Sequence, residues 1–492
     1  MIYGFSDFGY EGSLVEIETD LRNGIPAIDI VGLSDGIVKE TRERMKSAIK
    51  NSGFIFPNER VLISLPPADL KKDGASFDLP ITLSVLTKSV MDKINDVLVM
   101  GELDLAGNVR PVKGTFAACQ GAIDRKIKYA ILPDGSSIPN GIKVCFVKNL
   151  KEAFDAFISF ENETFKEVQN EFSNEIKFSD EIFDDEISLD KINNDFSNDL
   201  KFAMTVAVAG KHNLLVIGQP GCSKTSMLQK LPQILPQLSL EESQSTTRIH
   251  SLAGLVKPNE NYMTKRPFRL PHQTASIEGL CGGGPNCRPG EISLAHNGIL
   301  FFDEASEFKT SCLQMLRVPM EKHSITLSRA GRTTCYPSDF QLVMATSPCP
   351  CGNYGNKDKI CLCSQKTMEL YWKKFSSPLL DRMEIRFNCN STEQLANDKM
   401  TVSKMRELIT NAWTMQKKRN FFNGRAKGDF IGDFENKNDG EELTHISCIN
   451  SRKVIQIVNL ARTLSDMRKS EKISHEDFIT AKKLRATIDF VE

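Results

Sequence analysis

Net charge is almost absent from this 492-residue chain, in which 62 Lys and Arg face 63 Asp and Glu. Taken whole, that balance argues against a polyanionic partner, because nucleic-acid binders normally carry a basic excess. Long apolar runs are also missing: none approaches the ~18 residues of a membrane span. The opening MIYGFSDFGYEGSLVEIETD is acidic and has no apolar core. Neither a secretory signal nor a membrane partner is expected, and the reading is cytoplasmic. The 13 cysteines are odd in number and scattered, which speaks against a disulfide scaffold. Heptads and long-period repeats are absent. What is present, 40% hydrophobic and 25% charged residues, suits packed domains and excludes wholesale disorder. At roughly 100–200 residues per domain, the length predicts two to four of them.

Counted by segment, the charge balance changes. Residues 161–200 hold 13 Asp and Glu against Lys166, Lys177 and Lys191, a net −10, so the rest of the chain carries +9. The stretch has no Gly or Pro and is rich in Asn. It reads as an acidic, partly disordered connector. The alternative is a solvated helix that docks through Phe165, Phe172, Phe178 and Phe183.

The connector divides the chain into 1–160, an acidic linker 161–190, 191–393 and a helical 394–492. In the first part, strand-like runs (Ala27–Val31, Val61–Leu65, Val97–Met100, Tyr129–Leu132, Val144–Val147) alternate with helical stretches such as Gly36–Lys50. This is an α+β or α/β pattern expected to hold its own core. Beyond the linker, a helix over Asp199–Gly210 precedes strands at Asn213–Ile217, Gly298–Phe302 and Phe340–Ala345. Each strand ends in polar residues, the signature of an α/β parallel sheet with its site at the carboxyl edge. Arg452–Asp466 and Ser474–Arg485 read as helices, the second opened by an N-cap serine.

Gly218-Gln-Pro-Gly-Cys-Ser-Lys-Thr225 nearly fits the phosphate-binding loop G-x-x-x-x-G-K-[ST]. Gly218, Gln219, Pro220, Gly221, Cys222, Ser223, Lys224, Thr225 and Ser226 are the expected nucleotide-binding set. Lys224 would reach the β/γ-phosphates and Thr225 would ligate Mg²⁺. Ser223 stands where the motif has glycine, so a strained torsion is expected there. A buried strand, Ile299-Leu-Phe-Phe, then delivers Asp303 for Mg²⁺ and Glu304 to orient the attacking water. Cys349-Pro-Cys351 and Cys361-Leu-Cys363 bracket a short polar turn. Four thiolates so placed can form a structural S₄ zinc site, or remain four reduced thiols.

The chain resembles the ComM/YifB family of magnesium-chelatase-like AAA+ ATPases. The resemblance rests on GIPAIDIVGLSDGIVKETRERMKSAIKNSGF, LPPADLKKDGASFDLPI, RPFRLPHQTAS, CGGGPNCRPGEISLAHNGILFFDEASEF, FQLVMATSPCPCG and SSPLLDRME. It implies an AAA+ P-loop domain with a C-terminal helical lid behind an N-terminal α+β Lon-protease-like domain. It also implies ATP and Mg²⁺ as cofactors and a homo-hexameric ring acting on branched or single-stranded DNA as a branch-migration helicase.

Residue by residue, Arg382 of the LLDR motif becomes a finger on a neighbour's γ-phosphate, with a surface pair to Asp381 as the plainer alternative. Arg452 becomes the lid's sensor arginine. Ser347 replaces the family's sensor asparagine, and Asn193-Asn194 stand where a Gly-Gln element near adenine is expected. Arg266, Arg269 and Arg288, around Gly282–Gly284, become DNA-contact candidates; the alternative is a structural hairpin against the next subunit. In the Lon-like part, Ser76 matches a catalytic serine, but its lysine partner position falls on Phe116 and Lys113 is displaced, so no protease is expected. Lys39, Arg42, Arg44, Lys46 and Lys71-Lys72 either touch phosphate or form solvated faces. Two other readings stay open: a nucleotide-bound scaffold with a slowed ATPase, and the motor of a magnesium-chelatase complex.

Overall fold

Five short strands form the sheet that carries the phosphate-loop motif: β1 (Leu214–Ile217), β2 (Phe268–Arg269), β3 (Ile299–Phe302), β4 (Gln341–Thr346) and β5 (Ile385–Asn388). They pair in the order β2-β3-β4-β1-β5, every ladder parallel. In β1, β3 and β4 every residue is buried, because helices and a second sheet cover both faces. Side chains alternate between two cores as strand geometry dictates. Leu215, Ile217, Leu300, Phe302, Leu342 and Met344 enter one core. Leu214, Val216, Ile299, Phe301, Val343 and Ala345 enter the other.

The computed structural model describes residues 1–492 except 34, 68–69, 71, 73–74, 89–95, 160–164, 168–171, 173–174, 180–188, 192–194, 258, 330, 357–358, 391–393, 397, 427–429, 431–432, 435–436 and 486–492; for 35, 37, 191, 195–196 and 437–451 only the backbone is described.

A six-stranded sheet fills the first part of the chain. Its interior strands Lys143–Val147, Tyr129–Pro133, Val97–Val99 and Ile2–Ser6 run parallel, and antiparallel edges are added by Lys166–Glu167 and Ser13–Glu16. One face packs its own core with the helices Asp35–Asn51, Asp78–Lys88 and Leu150–Ser159 and a three-stranded sheet. The other face does not. Leu98, Ala130, Leu132 and Val144, with the helix Thr115–Asp124, share one continuous core with β1, β3 and β4. The self-contained core expected for the first 160 residues is therefore only half of what forms, since an amphipathic pattern does not name its partner surface.

The second face of the five-stranded sheet is covered by the helices Asp195–Gly210, Val402–Arg419, Lys437–Met467 and His475–Leu484. Ser474 caps the last of these, its hydroxyl accepting the Asp477 N–H at 3.3 Å. In the acidic linker 161–190 no α-helix forms among the described residues. Its aromatic residues do dock: Phe165 is buried, Phe172 meets Tyr262 edge-on at 5.2 Å, and Arg406 lies over Phe178 at 5.1 Å. Phe183 falls outside the described residues. Among the described residues no helix is long and apolar enough to cross a membrane.

Candidate nucleotide site

Ile217 at the end of β1 pairs with Thr346 of β4, and the Gly218 N–H donates to the Thr346 carbonyl at 3.1 Å. The chain then turns through Gln219, Pro220, Gly221, Cys222 and Ser223 into the helix Lys224–Leu228. Gly221 (φ 84°) and Ser223 (φ 58°) are both left-handed. Mixing left- and right-handed residues gathers successive N–H groups into an anion-binding nest. Ser223 thus keeps the backbone that glycine would give, at a steric cost of about 1 kcal/mol. Lys224 Nζ donates to the carbonyls of Gly218 (2.6 Å) and Gln219 (2.8 Å), and Ser226 Oγ to that of Ser223 (2.9 Å).

β3 brings the acids to the same edge. Thr225 Oγ1 donates to Asp303 Oδ1 at 2.8 Å, so the two oxygens expected on one Mg²⁺ already meet. Glu304, at φ 46°, is turned out of the strand, and its Oε2 accepts from Gln273 Nε2 at 2.8 Å. Gln273 is a neighbour that the sequence did not single out; it lies inside the matched segment RPFRLPHQTAS. Ser347 follows β4 level with Gly218, and its carbonyl accepts from the Tyr371 hydroxyl at 2.9 Å. Asn193 and Asn194 lie outside the described residues.

The two arginines attributed to the site sit elsewhere. The Arg382 carbonyl accepts from Asn213 Nδ2 at 2.9 Å, at the start of β1 and a strand length from the loop. Four residues at about 3.3 Å each separate those edges by about 13 Å. The guanidinium of Arg382 pairs with Glu321 at 2.6 Å and donates to the Pro378 carbonyl at 2.6 Å. Asp381, the partner read from sequence, is displaced by a helix residue 61 positions away. Gln456 Nε2 donates to the Asp381 carbonyl at 2.5 Å. Arg452 is exposed on the same helix, one turn before Gln456.

The four cysteine sulfurs all lie within 4.8 Å of one another. Cys349 and Cys351 are 3.4 Å apart, Cys349 and Cys361 3.7 Å, and Cys351 and Cys361 3.6 Å. A tetrahedral ion with metal–sulfur bonds of about 2.3 Å sets its sulfurs about 3.8 Å apart, so the set, Cys363 included, fits zinc. The Tyr354 N–H donates to Cys349 Sγ at 3.4 Å, and the Asn353 N–H helps hold the Cys351 thiol down to about 6. This loop rests on the phosphate loop: a β-carbon on Gly352 would come within 2.7 Å of Pro220 Cδ.

The basic candidates separate sharply. Arg266 is no surface arginine: its side chain is 3% exposed, forks onto Glu242 (2.5 and 3.1 Å) and lies over the Trp413 ring at 4.9 Å. It also donates to the carbonyls of Pro236 and Asn297, so no guanidinium face is left for a phosphate. Expected at a DNA surface, Arg266 is instead a buried structural arginine. Arg269 forks onto Glu291 at 2.7 Å, and that carboxylate raises its pKa. Arg288 stays 54% exposed, 3.9 Å from Asp7. The small hairpin of Gly282–Gly283 and Arg288–Pro289 leans on its own chain, with the Asn286 carbonyl accepting from the Gly9 N–H at 3.0 Å.

A longer hairpin escaped the sequence reading. Ser324–Arg329 pairs antiparallel with Arg332–Pro337 around Gly331 (φ 78°). It presents Arg329 and Arg332 near its tip, Arg332 over the Phe8 ring at 5.3 Å. The alternation in SITLSRAGRTTCYP about a glycine was the signal.

In the first part, Arg44 lies between Glu40 (2.8 Å) and Asp78 (2.9 Å), whereas Lys39 and Lys46 are exposed. Lys72 is buried and donates to the Pro67 carbonyl at 2.6 Å; Lys71 is outside the described residues. Ser76, Lys113 and Arg288 line one cavity of about 420 Å³, and Phe116 is wholly buried.

Two family models match the chain: magnesium chelatase subunit ChlI over residues 193–397, and a second ChlI model over 17–136. The competence protein ComM of Haemophilus influenzae is 31% identical over 510 aligned residues, covering 100% of this chain and 98% of that one. YifB of Salmonella typhimurium is 31% identical, covering 97% and 95%. Lon protease of Fervidobacterium nodosum is similar over a smaller stretch, 27% identical over 168 residues that make up 31% of this chain and 20% of the protease. With near-complete coverage on both sides, the chain belongs to the ComM/YifB family of magnesium-chelatase-like AAA+ proteins.

Proposed function

We propose that this protein is an ATP-driven, ring-forming motor on DNA, a translocase or branch-migration helicase acting in recombination or natural transformation. The observation that carries the reading is the 2.8 Å meeting of Thr225 with Asp303 beside Glu304, at the mouth of the Gly218–Ser223 loop. In this reading the loop N–H groups and Lys224 hold a triphosphate, Thr225 and Asp303 hold Mg²⁺, and Glu304 and Ser347 position water. Held by Thr225 and Asp303, Mg²⁺ would supply neutralisation of the charge that develops on the phosphates.

Arg382 sits a strand length from the loop of its own chain, so it serves the site of a neighbouring copy, which a homo-hexameric ring supplies, and exposed Arg452 joins it there as the lid's sensor arginine. Arg288, Arg329 and Arg332 take the place of Arg266 as the cations offered to DNA. Zinc on the four cysteines is structural, bracing the phosphate loop. Residues 1–160 act as a non-catalytic Lon-like part, because apolar Phe116 occupies the lysine position that Ser76 would need.

The scaffold reading draws on Ser223 and Ser347, each a departure from the motor pattern. It is weakened by the left-handed backbone that Ser223 retains. The chelatase reading is weakened by the Lon-like part and the cysteine loop. The test is a synthetic four-way junction incubated with ATP and wild type, Lys224→Ala or Glu304→Gln. The motor reading expects junction movement by wild type alone. Wild type that binds ATP and DNA yet moves no junction gives the scaffold reading instead.

A further inference from the structure

Cys222 and Cys389 stand together against the phosphate loop. Cys222 belongs to the loop itself. Cys389 follows β5, its N–H donating to the Ile217 carbonyl at 2.8 Å. A β-carbon built on Gly218 would lie 2.4 Å from Cys389 Sγ and 3.0 Å from Cys222 Sγ. The two sulfurs therefore converge over one α-carbon, no farther apart than those lengths laid end to end. Neither belongs to the four-cysteine cluster, and both are partly open to solvent. The glycine of the loop is what leaves room for the pair.

We propose that Cys222 and Cys389 form a reversible thiol–disulfide site that clamps the phosphate loop, with a two-electron thiol oxidant, a peroxide or a diazene, as its reagent. The roles follow from the surroundings. Donation from the Cys389 thiol and the charge of Lys224 bring Cys222 down to about 6, whereas burial pushes Cys389 up. Cys222 is thus the thiolate that attacks and Cys389 the thiol that resolves. With a peroxide, Cys222 Sγ attacks one oxygen, the O–O bond breaks, and the departing hydroxide takes a solvent proton to become water. Cys222 is left as a sulfenic acid. Cys389 Sγ then attacks Cys222 Sγ; the S–S bond forms, the S–O bond breaks, and the leaving hydroxide carries off the Cys389 proton as a second water. Two thiols lose two electrons and one peroxide gains them.

The consequence rests on the nucleotide site proposed above. A loop tied to the end of β5 cannot adjust its N–H groups around a triphosphate. The test uses the full chain, reduced or treated with diamide, a diazene that accepts the same two electrons and leaves as a hydrazine. Peptide mapping reads the bond, and titration with a fluorescent ADP analogue reads the loop.

We expect a peptide linking residues 222 and 389, and a Kd raised at least about tenfold, both reversed by dithiothreitol. Cys389→Ser should bind as reduced wild type does and keep its affinity after diamide. The proposal is overturned if no linked peptide forms while other cysteines oxidise, if affinity survives the link, or if Cys389→Ser loses affinity equally. Reduced wild type that binds no nucleotide overturns the proposed function instead, and the peptide map still decides the disulfide.

Discussion

Ser223 adopts φ 58°, where glycine sits without penalty. That strain, about 1 kcal/mol, is already present in the folded loop, so relieving it stabilises the fold. Ser223→Gly should therefore raise the urea midpoint by roughly that stability and leave the nucleotide Kd nearly unchanged; an unchanged midpoint would show that the serine costs nothing.

Buried histidines set the acid limit of the fold. Burial pushes His212 down to about 3 and His250 and His296 down to about 4. They take up protons only on unfolding, so their contribution is complete above pH ~6.5 and is lost as pH falls through that window. Each site adds a slope of up to about 1.4 kcal/mol per pH unit. Asp78, raised to about 6 by burial, works the opposite way, its contribution fading as pH rises toward 6, and offsets part of the loss. Urea midpoints should fall steadily from pH ~6.5 to ~4.5; a flat profile would mean that these imidazoles already carry protons in the fold.

At this scale the sequence is least legible. Arg266 lies between the two nucleotide motifs and reads as a free cation, yet its partners Glu242 and Trp413 are 24 and 147 positions away. Spacing along the chain carries no record of them.

The elements are far more legible. All of the named strand runs form within a residue or two of their expected ends; in β1, β3 and β4 burial on both faces leaves continuous apolar segments. The hairpin Ser324–Pro337 went unread because its alternation carries few apolar residues, Ile325 and Leu327 on one strand and Cys335 and Tyr336 on the other, among serines, threonines and arginines. The cysteine loop was legible as a ligand set, but its seat on Pro220 was not. That seat sets the cysteine loop against the phosphate loop, so the proposed nucleotide site should feel it. Removing bound metal with a chelator should weaken nucleotide binding, measured by calorimetry, and re-adding zinc should restore it. Full affinity in a metal-free protein would separate the two loops.

At the scale of the molecule, the net charge of −1 is a sum over unlike parts, an acidic stretch against a remainder of +9. Deleting the stretch would also remove Phe165 and Phe178, which dock, so neutralisation is the cleaner test. Replacing Asp180, Glu181, Asp184, Asp185 and Glu186 by their amides should tighten DNA binding at low salt and leave it unchanged at high salt. Equal affinity at both would make the stretch a spacer without electrostatic effect.

The core shared between the six-stranded and five-stranded sheets was not legible as such, although its residues were; packing partners across a shared face are chosen by shape, not by periodicity. The same limit would apply between copies of the proposed ring: Arg382 lies at the start of β1, a strand length from its own loop. The direct test is complementation of ATP turnover. Wild type should hydrolyse ATP, Glu304→Gln and Arg382→Ala should each be nearly inactive, and an equal mixture should recover roughly a quarter of the wild-type rate, since each site can pair an intact Glu304 with a neighbour's intact Arg382. A mixture no more active than either variant alone, with wild type active, would contradict a site completed across subunits.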